Sequence, residues 1–430
     1  MRPSDVAPQG STPGAAAFTA PAAIAIAAGA VRRTQGVVGC SGFGTGAFDG
    51  VPANGNVANA TDTVVVGGSN DHACDDYAAV VGGYYDQISS GSNAATYSFI
   101  GGGYSNTIDA GTYSAIAGGL ANAVTGGGNA KFIGGGGYNT ASGDGVAIGS
   151  GTHNAAAGGE SFIGGGEYNT ISAAGSVGAI AGGEYNTVSG QGAYVGTGGY
   201  NTASGLGAVI DGGFNSTAAG TFATIPGGYV NNAAGTYSFA AGARASAAQT
   251  GTFVWSDGSD GDTILTSSRA YQFLARASGG VTFWTNAAST VGATLAPGSG
   301  TWASASDRNL KTDVAPVDNA AILAKVSALP ISRWSYKSER GVRHVGPMAQ
   351  DFYAAFGVGE DDKHITSVDE DGVALTAIKA LHAENGALHA ENARLRADLA
   401  ALRSQQGAHD RRVDAELTRL ETAVEAAGTR

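Results

Sequence analysis

The sequence is poor in cysteine and in basic residues, and each shortage removes a class of protein. Only 2 of its 430 residues are cysteine, Cys40 and Cys74, which is too few for a disulfide scaffold or a zinc site. Two alternatives stay open for them, a pair of reduced thiols or one disulfide in an exported protein. Lys and Arg number 23 against 35 Asp and Glu, for a net charge of −12. Nucleic-acid binding needs clustered cations, so we exclude it.

Long apolar runs are also missing. No run of about 18 apolar residues occurs, so we predict that no helix spans a membrane. The apolar run at 22–30 ends in an Ala-Gly-Ala of the kind that precedes signal-peptide cleavage, but Pro21 interrupts its approach and Asp5 balances Arg2. A secretory signal is therefore the alternative to the irregular lead-in that we predict for residues 1–59.

Glycine is abundant, and it is concentrated in one part of the chain. Of 71 glycines, 63 precede residue 306 and 8 follow it, whereas the charged residues number 23 before that point and 35 after it. No Gly-X-Y triplet repeats, which excludes collagen. The chain therefore consists of two different segments that join near residue 305.

The glycine-rich segment is a repeat. Gly-Gly pairs return with a period of about 15.6 residues. An apolar piece such as Ser98-Phe-Ile-Gly-Gly-Gly103 comes before the glycines, and a polar piece such as Tyr138-Asn-Thr-Ala-Ser-Gly143 comes after them. This pattern predicts two very short strands per repeat, joined by tight turns. Such a coil encloses a single file of Val, Ile and Ala, and so little burial hardly offsets backbone entropy. We therefore predict an obligate oligomer.

The Gly/Ala/Ser-rich repeats of residues 60–245 resemble the left-handed parallel β-roll of YadA-type trimeric adhesin heads, a fold also found in phage fibres. The resemblance implies three parallel rolls around a threefold axis. The expected fold class is accordingly mainly β: a trimeric parallel β-roll solenoid, a β collar, and a C-terminal α+β module that ends in a coiled coil.

Two residue types recur in phase with the glycines. We predict that an asparagine column forms a turn or ladder device, because Asn hydrogen-bonds locally and tolerates left-handed backbone. An aromatic column is predicted to stack along one ridge, either filling a corner or interchain seam or binding a surface glycan. The asparagines are Asn139, Asn154, Asn169, Asn186, Asn201 and Asn215, and the rings are Tyr104, Tyr138, Tyr168, Tyr185, Tyr200, Phe214 and Tyr229. The candidate surface-binding ridge is Tyr138, Tyr168, Tyr185 and Tyr200.

The remaining patterns divide the rest of the chain. Residues 246–305 break the period and alternate aromatic with polar residues, which predicts a β collar of longer strands that caps the roll. The last part has apolar and Asn residues at coiled-coil a/d spacing, which predicts a parallel coiled coil from about residue 374 and a second short stretch past Gly407. The seam consists of Ile378, Leu381, Asn385, Leu388, Asn392, Leu395, Leu399 and Leu402.

The segment 306–430 carries the most specific motifs. Ser306-Asp-Arg-Asn-Leu-Lys311, then Gly346-x-x-Ala-Gln-Asp and a terminal coil, closely resemble the intramolecular chaperone auto-processing domain that ends phage tailspikes and tail fibres. The resemblance implies that Ser306 is the nucleophile, Lys311 the base and Ala305–Ser306 the bond that is cut, which would leave residues 1–305 as the mature product.

A serine and a lysine can act as nucleophile and base only under particular conditions. A serine hydroxyl needs a base, and a lysine serves as one only where burial or a nearby cation lowers its pKa. A separation of five residues places the two side chains together in neither an α-helix nor a strand. We therefore expect the loop to fold back, and to do so only once a trimer has assembled around it.

The function that we expect is a homotrimeric attachment fibre, in a virion tail or at a cell surface, that binds a glycan or receptor and cuts itself once as a serine endopeptidase. We expect no cofactor and no metal, since the calcium nonapeptide pattern is absent. His153 is isolated in the repeats and is predicted to be a surface or packing residue. The alternatives are a polysaccharide-degrading tailspike, a surface adhesin without self-cleavage, and an ice-binding solenoid, which the alternation of Thr with Ala and Ser argues against.

Overall fold

The structure is a computed structural model that describes residues 46–50, 54–88 and 94–428. The chain divides into two compact units, Met1–Ala305 and Ser306–Arg430. The first is almost entirely β and the second is mainly helical.

The first unit is built from strands of two residues, because glycine and Ser-Gly turns interrupt every apolar pair. In chain order these strands are β1 (Phe48–Asp49), β2 (Val57–Ala58), β3 (Val64–Val65), β4 (His72–Ala73), β5 (Ala79–Val80), β6 (Gln87–Ile88), β7 (Phe99–Ile100), β8 (Thr107–Ile108), β9 (Ala115–Ile116), β10 (Ala123–Val124), β11 (Phe132–Ile133), β12 (Thr140–Ala141), β13 (Ala147–Ile148), β14 (Ala155–Ala156), β15 (Phe162–Ile163), β16 (Thr170–Ile171), β17 (Ala179–Ile180), β18 (Thr187–Val188), β19 (Tyr194–Val195), β20 (Thr202–Ala203), β21 (Val209–Ile210), β22 (Thr217–Ala218), β23 (Thr224–Ile225) and β24 (Asn232–Ala233).

Successive strands alternate between two parallel sheets. Odd-numbered strands stack in a sheet of 15 and even-numbered strands in a sheet of 14, each strand pairing with the equivalent strand one turn away. The prediction of a parallel β-solenoid with two short strands per repeat is confirmed.

The core is one file of side chains between the two sheets. The second residue of each short strand points inward and is buried, for example Ile148 from one sheet and Ala141 from the other. Ile and Val dominate the odd-numbered strands, while Ala is frequent in the even-numbered ones. The expected single file of Val, Ile and Ala is confirmed.

A column of buried polar side chains, most of them asparagine amides, runs through the solenoid with one residue in each turn. A typical Asn side chain, such as that of Asn169, donates to backbone carbonyls of its own and the next turn, and its Oδ1 accepts the backbone N–H of the next residue in the column. The predicted ladder is confirmed with one correction, because Asn215 lies outside it and the buried Ser216 takes that place. The buried members are Asn56, Asp71, Asp86, Asn106, Asn122, Asn139, Asn154, Asn169, Asn186, Asn201, Ser216 and Asn231.

The solenoid extends beyond both ends predicted for it. β1 and β2 already belong to the two sheets, although they fall within the predicted lead-in 1–59. Cys74, which follows β4, is disulfide-bonded. Cys40 and the apolar run at 22–30 lie outside the described residues.

At the other end, most of the predicted collar continues the same two sheets. The strands there are β25 (Phe239–Ala243), β26 (Ala245–Ala247), β27 (Phe253–Asp257), β28 (Leu265–Thr266) and β29 (Phe273–Arg276). All but the two-residue β28 are longer, as expected, and all five remain parallel to their neighbours in the two sheets. The period in the sequence is lost because these strands lengthen, not because the stacking stops.

A separate antiparallel sheet closes the first unit. It contains β30 (Val281–Trp284), β31 (Gly292–Leu295) and β32 (Trp302–Ser304). The rings of Phe283 and Trp302 pack against each other at 5.7 Å between centroids.

The second unit holds three helices and one hairpin. These are α1 (Asn319–Ala328), β33 (Ser332–Trp334) paired antiparallel with β34 (His344–Gly346), α2 (Ala349–Phe356) and α3 (Ser367–Gly428). The Asp318 side chain caps α1 by accepting from Ala320 and Ala321.

Helix α3 is longer than predicted. It spans 62 residues, from Ser367 to Gly428. It therefore starts before the predicted residue 374 and continues without a break past Gly407. Its predicted seam is exposed in the single chain, as at Leu388 (55 %) and Leu395 (58 %). Its buried residues are Ala377 and Ala380, and α1 packs against it.

The ladder predicts a large effect for a single amide. Asn169→Ala would leave the Asn186 N–H without its acceptor and the Gly165 carbonyl without its donor, and it would remove one of the two donors to the Gly183 carbonyl. We expect a loss of about 3 kcal/mol, because each unsatisfied buried group costs about 1–3 kcal/mol. Urea unfolding followed by circular dichroism measures it.

The matched control is Asn215→Gly, at an exposed position outside the ladder where φ is 53° and glycine is tolerated. We expect its unfolding midpoint to stay near that of the wild type. An equal loss of unfolding free energy in the two variants would show that the ladder does not stabilise the solenoid.

Candidate functional site

Ser306 and Lys311 lie at the two ends of a tight turn. Residues Arg308–Leu310 form one turn of 3-10 helix, and Asp307 caps it by accepting from the backbone N–H of Asn309 (2.9 Å) and from its side-chain amide (3.1 Å). The backbone is extended at Asp307 and at Lys311, on either side of the turn. Lys311 Nζ donates to Ser306 Oγ at 2.7 Å.

This turn corrects the expected route to contact. A 3-10 turn has three residues and a short rise, so it joins positions that neither an α-helix nor a strand would bring together. The expectation that the loop folds back only inside a trimer is wrong, because the single chain already makes the contact. Both side chains are exposed, so what the single chain lacks is burial.

The residue before Ser306 is held by the antiparallel sheet. Ser304 ends β32 and pairs with Ala293 of β31. The Ala305 N–H then donates to the Gly292 carbonyl at 3.0 Å. The Ala305–Ser306 bond thus joins a residue that is hydrogen-bonded to the sheet to the start of the capped turn.

The histidines of the second unit have partners of their own. His344 stacks on Trp334 at 4.7 Å between ring centroids, and its Nε2 lies 3.3 Å from Glu339. His364 Nδ1 lies 2.9 Å from the Asp361 carboxylate. Hydrogen bonds from the Lys363 N–H and from His364 lower the pKa of Asp361. These contacts place the two rings in the hairpin and in the loop before α3, with partners other than Ser306.

The predicted aromatic ridge exists but is assembled from two neighbouring columns. Tyr138, Tyr168, Tyr185 and Tyr200 occupy a column with left-handed backbone, at φ values of 53° to 58°. Tyr104, Phe214 and Tyr229 belong to the column one residue earlier, where parallel bridges link successive turns. The single column expected from the sequence is therefore wrong by one residue at three positions.

His153 completes the ridge. Its ring lies 4.9 Å from that of Tyr138 and 4.5 Å from that of Tyr168, stacked on both. The stack continues through Tyr185 and Tyr200 at 4.8 Å per step. His153 is a packing residue, as predicted, but it is not isolated. Its place one turn from Tyr138 and Tyr168 was the signal available in the sequence.

The geometry of the stack limits what the ridge can bind. The four tyrosines are about half exposed, between 39 % and 50 %, yet each ring face between two neighbours is covered by another ring. Stacking contributes about 0.5–1.5 kcal/mol per pair, which offsets the cost of left-handed backbone at a residue with a side chain. A ligand would therefore meet ring edges and phenol hydroxyls rather than open faces.

Acidic residues flank the ridge. Glu167 and Glu184 are exposed and lie on adjacent turns of the bridged column, directly before Tyr168 and Tyr185. Burial, the neighbouring tyrosines and these carboxylates raise the pKa of Tyr185. This is a repeated surface decoration on successive turns.

Within the described ranges, no group of three or more His, Cys, Asp or Glu side chains is arranged to hold a metal ion. The same part of the chain contains no helix with the length and apolar character needed to cross a bilayer.

Comparison with known families identifies the start of the second unit. Residues 306–358 match the model of peptidase family S74, the chaperone of endosialidase. The match begins at Ser306 and includes the capped turn, α1, β33, β34 and α2. No curated protein matches the chain. A parallel β-solenoid followed by this domain fits a tail fibre with a C-terminal chaperone domain, which confirms that resemblance.

Proposed function

We propose that the protein is a homotrimeric attachment fibre whose C-terminal chaperone domain directs trimerisation and then removes itself by cutting the Ala305–Ser306 bond. The observation that carries the proposal is the 2.7 Å contact between Lys311 Nζ and Ser306 Oγ, at the first residue of the segment matched by the chaperone family. Because that family is associated with fibres, we place the protein in a virion tail or at a cell surface.

Ser306 would supply both the nucleophile and the amide nitrogen of the bond that breaks. Its Oγ attacks the carbonyl carbon of Ala305 while neutral Lys311 accepts the hydroxyl proton. Collapse of the tetrahedral intermediate breaks the C–N bond, and Lys311 returns the proton to the Ser306 nitrogen. Water then hydrolyses the ester between Ala305 and Oγ, leaving a carboxylate on Ala305 and an amine on Ser306.

Assembly would control the reaction through burial. In the single chain Lys311 Nζ donates a hydrogen bond to Ser306 Oγ, and the side chain is exposed to water. Removing a lysine from water favours its neutral form. Covering the exposed turn with other copies of the chain would therefore create the base, so cutting would report a correctly assembled trimer.

The first test of this proposal is a denaturing gel of freshly expressed protein. Wild type should run as two pieces of about 30 and about 12–13 kDa, sized by their share of the chain. Ser306→Ala and Lys311→Ala should each leave one band at 42.3 kDa. Ser304→Ala, two residues earlier, is the control and should be cut like wild type. Normal cutting of Lys311→Ala would show that the pair is wrongly assigned.

Helix α3 is the element that we propose for the contacts between chains. Its a/d residues form an apolar stripe that is about half exposed or more, as at Ile378 (62 %) and Leu402 (62 %). Apolar residues at this spacing are stabilised by packing into equivalent helices of other copies. Asn385 and Asn392 lie within the same stripe, where buried Asn selects register and the number of strands at a cost in stability.

The coiled coil and the cutting should therefore fail together. We expect Leu388→Asp with Leu395→Asp to give a monomer in analytical ultracentrifugation and a single uncut band, because charges at d positions cannot be buried. The control is Ala383→Asp with Ala390→Asp, on the opposite face of the same turns, which should remain trimeric and cut. A monomeric variant that still cuts itself would break the proposed coupling.

The candidate surface-binding ridge is the part of the solenoid that we propose to contact a cell-surface glycan or receptor. Because its ring faces are stacked, the contacts would come from the phenol hydroxyls of Tyr138, Tyr168, Tyr185 and Tyr200, which project from successive turns. An extended polymer with repeated hydroxyl or amide groups matches such a row.

An array of bacterial lipopolysaccharides and capsular polysaccharides tests the ridge. Changing its four tyrosines to Phe keeps the stack and removes only the hydroxyls, and we expect binding to fall at least about tenfold, as for several lost hydrogen bonds. Changing Tyr77, Tyr97 and Tyr113 to Phe, in the other stacked column, should leave binding unchanged. The proposal would be contradicted if the ridge variant bound as tightly as the wild type, or if the wild type bound no glycan on the array.

A further inference from the structure

The buried ladder has one place where its chemistry changes. In a regular turn such as that of Asn106, Oδ1 accepts the N–H of the next column residue, and Nδ2 donates to the carbonyls of Gly102 (3.2 Å) and Gly119 (3.0 Å). The second of these carbonyls also accepts the backbone N–H of Tyr104. Each turn thus satisfies a glycine carbonyl with two donors.

Asp71 and Asp86 occupy two successive steps of this column near its N-terminal end. Both are fully buried, at 0 % exposure. One oxygen of each behaves as in asparagine: Asp71 Oδ1 accepts the Asp86 N–H (2.9 Å), and Asp86 Oδ1 accepts the Asn106 N–H (2.8 Å). Their Oδ2 atoms are among four buried side-chain polar atoms that have no hydrogen-bond partner in the part of the chain that the structure describes.

These Oδ2 atoms stand where asparagine places its amide nitrogen. A Cβ atom built on Gly103 would lie 2.6 Å from Asn106 Nδ2 and 2.3 Å from the Gly119 carbonyl oxygen. On Gly83 the equivalent atom would lie 2.2 Å from Asp86 Oδ2 and 2.7 Å from the Gly103 carbonyl oxygen. The same arrangement recurs at Gly68, with Asp71 Oδ2 and the Gly83 carbonyl oxygen at 2.0 and 2.5 Å.

An ionised carboxylate does not suit this position. It would set a negative oxygen beside a carbonyl oxygen, with no donor between them, inside a core that excludes water. The Ser69 N–H, which lies close enough to Asp71 to lower its pKa slightly, is hydrogen-bonded to the Gly83 carbonyl at 3.1 Å. A protonated carboxyl group, by contrast, presents an O–H donor at the position of the amide N–H.

We propose that Asp71 and Asp86 are built into the ladder as neutral carboxylic acids, each donating its Oδ2–H to a glycine carbonyl of the next turn in place of an asparagine amide. The first turns of the solenoid are then held together in acid and loosen as the pH rises, whereas the ladder positions from Asn106 to Asn231 carry no carboxyl group that could titrate.

The electrostatic environment agrees with the geometry. Burial raises the pKa of Asp71, against smaller lowering effects of the Asp86 N–H, of His72 and of the Ser69 N–H. Burial also raises the pKa of Asp86, against hydrogen bonds from the backbone and side chain of Asn106, and the carboxyl of Asp71 raises it further. The ionisable groups that act on the pair are therefore His72 and the two aspartates themselves.

The direction of the pH dependence follows from these shifts. A carboxyl whose pKa is higher in the folded than in the unfolded chain binds its proton more tightly when folded. The resulting stabilisation is complete below the usual pKa of aspartate and is lost as the pH rises through the raised, folded-state value. This is the opposite of a salt-bridged aspartate, whose contribution is lost in acid.

Hydrogen exchange measured by mass spectrometry on the purified protein tests the proposal. From about pH 4 to about pH 9, and after correction for intrinsic exchange rates, we expect protection of residues 56–88 to fall at least about tenfold, since the loss of two buried hydrogen bonds gives a factor of that order or more. Residues 179–210 serve as the internal reference and should show no such fall.

Three variants separate the aspartates from other causes. Asp71→Asn with Asp86→Asn restores both amides, and should hold acid-level protection at every pH. His72→Gln should keep the wild-type fall, which removes histidine titration as its source. Asn139→Asp should create a new pH-dependent loss around residues 123–156. Infrared spectra should also show a band for buried protonated carboxyl groups that is absent from the double Asn variant.

Several outcomes would overturn the proposal. A double Asn variant with the wild-type pH dependence, or a wild type without either the fall or the infrared band, shows that the acids are not neutral. Calcium or sodium that restores protection at high pH, with no carboxyl band, shows that a cation satisfies Oδ2 in place of the proton.

Discussion

The solenoid depends on the hydrogen bonds that one buried amide per turn makes with the turns beside it. The interior is a single file of Ile, Val and Ala, which is too thin to hold the turns in place by apolar burial alone. The ladder therefore does two things at once: it satisfies backbone groups that the tight turns leave buried, and it sets the spacing of the turns.

The thin interior also explains the surface. With so little room inside, the large rings lie outside and stack on one another along successive turns, where stacking offsets the strain of left-handed backbone. The same shortage of burial recurs in α3, whose apolar stripe has little to pack on within one chain. Both features favour an assembly of several copies, which we propose that the C-terminal chaperone domain directs.

The candidate cleavage site reflects a division between geometry and burial. The geometry is local, because the capped 3-10 turn alone places Lys311 Nζ against Ser306 Oγ. The burial is not local, because both residues are exposed in the single chain. A site built this way can be complete in shape and still idle, which suits a reaction that should follow assembly. The ladder shows the converse. Asp71 and Asp86 are completely buried, and each needs a proton on Oδ2 before it can donate a hydrogen bond there.

The sequence by itself determined the period, the two short strands, the composition of the core and the amide column, because each depends on spacing within one repeat. The Ser306–Lys311 pair came from the resemblance of its motif to a known family, since a separation of five residues does not by itself bring the two side chains together. Only the tertiary structure decided which residue of each repeat occupies a given column. Ladder steps vary from 15 to 20 residues, so spacing alone could not tell Asn215 from Ser216 or separate Tyr138 from the column of Phe214. Nor could it show that Asp86 stands where an amide should be, because that depends on which carbonyl the next turn brings beside it.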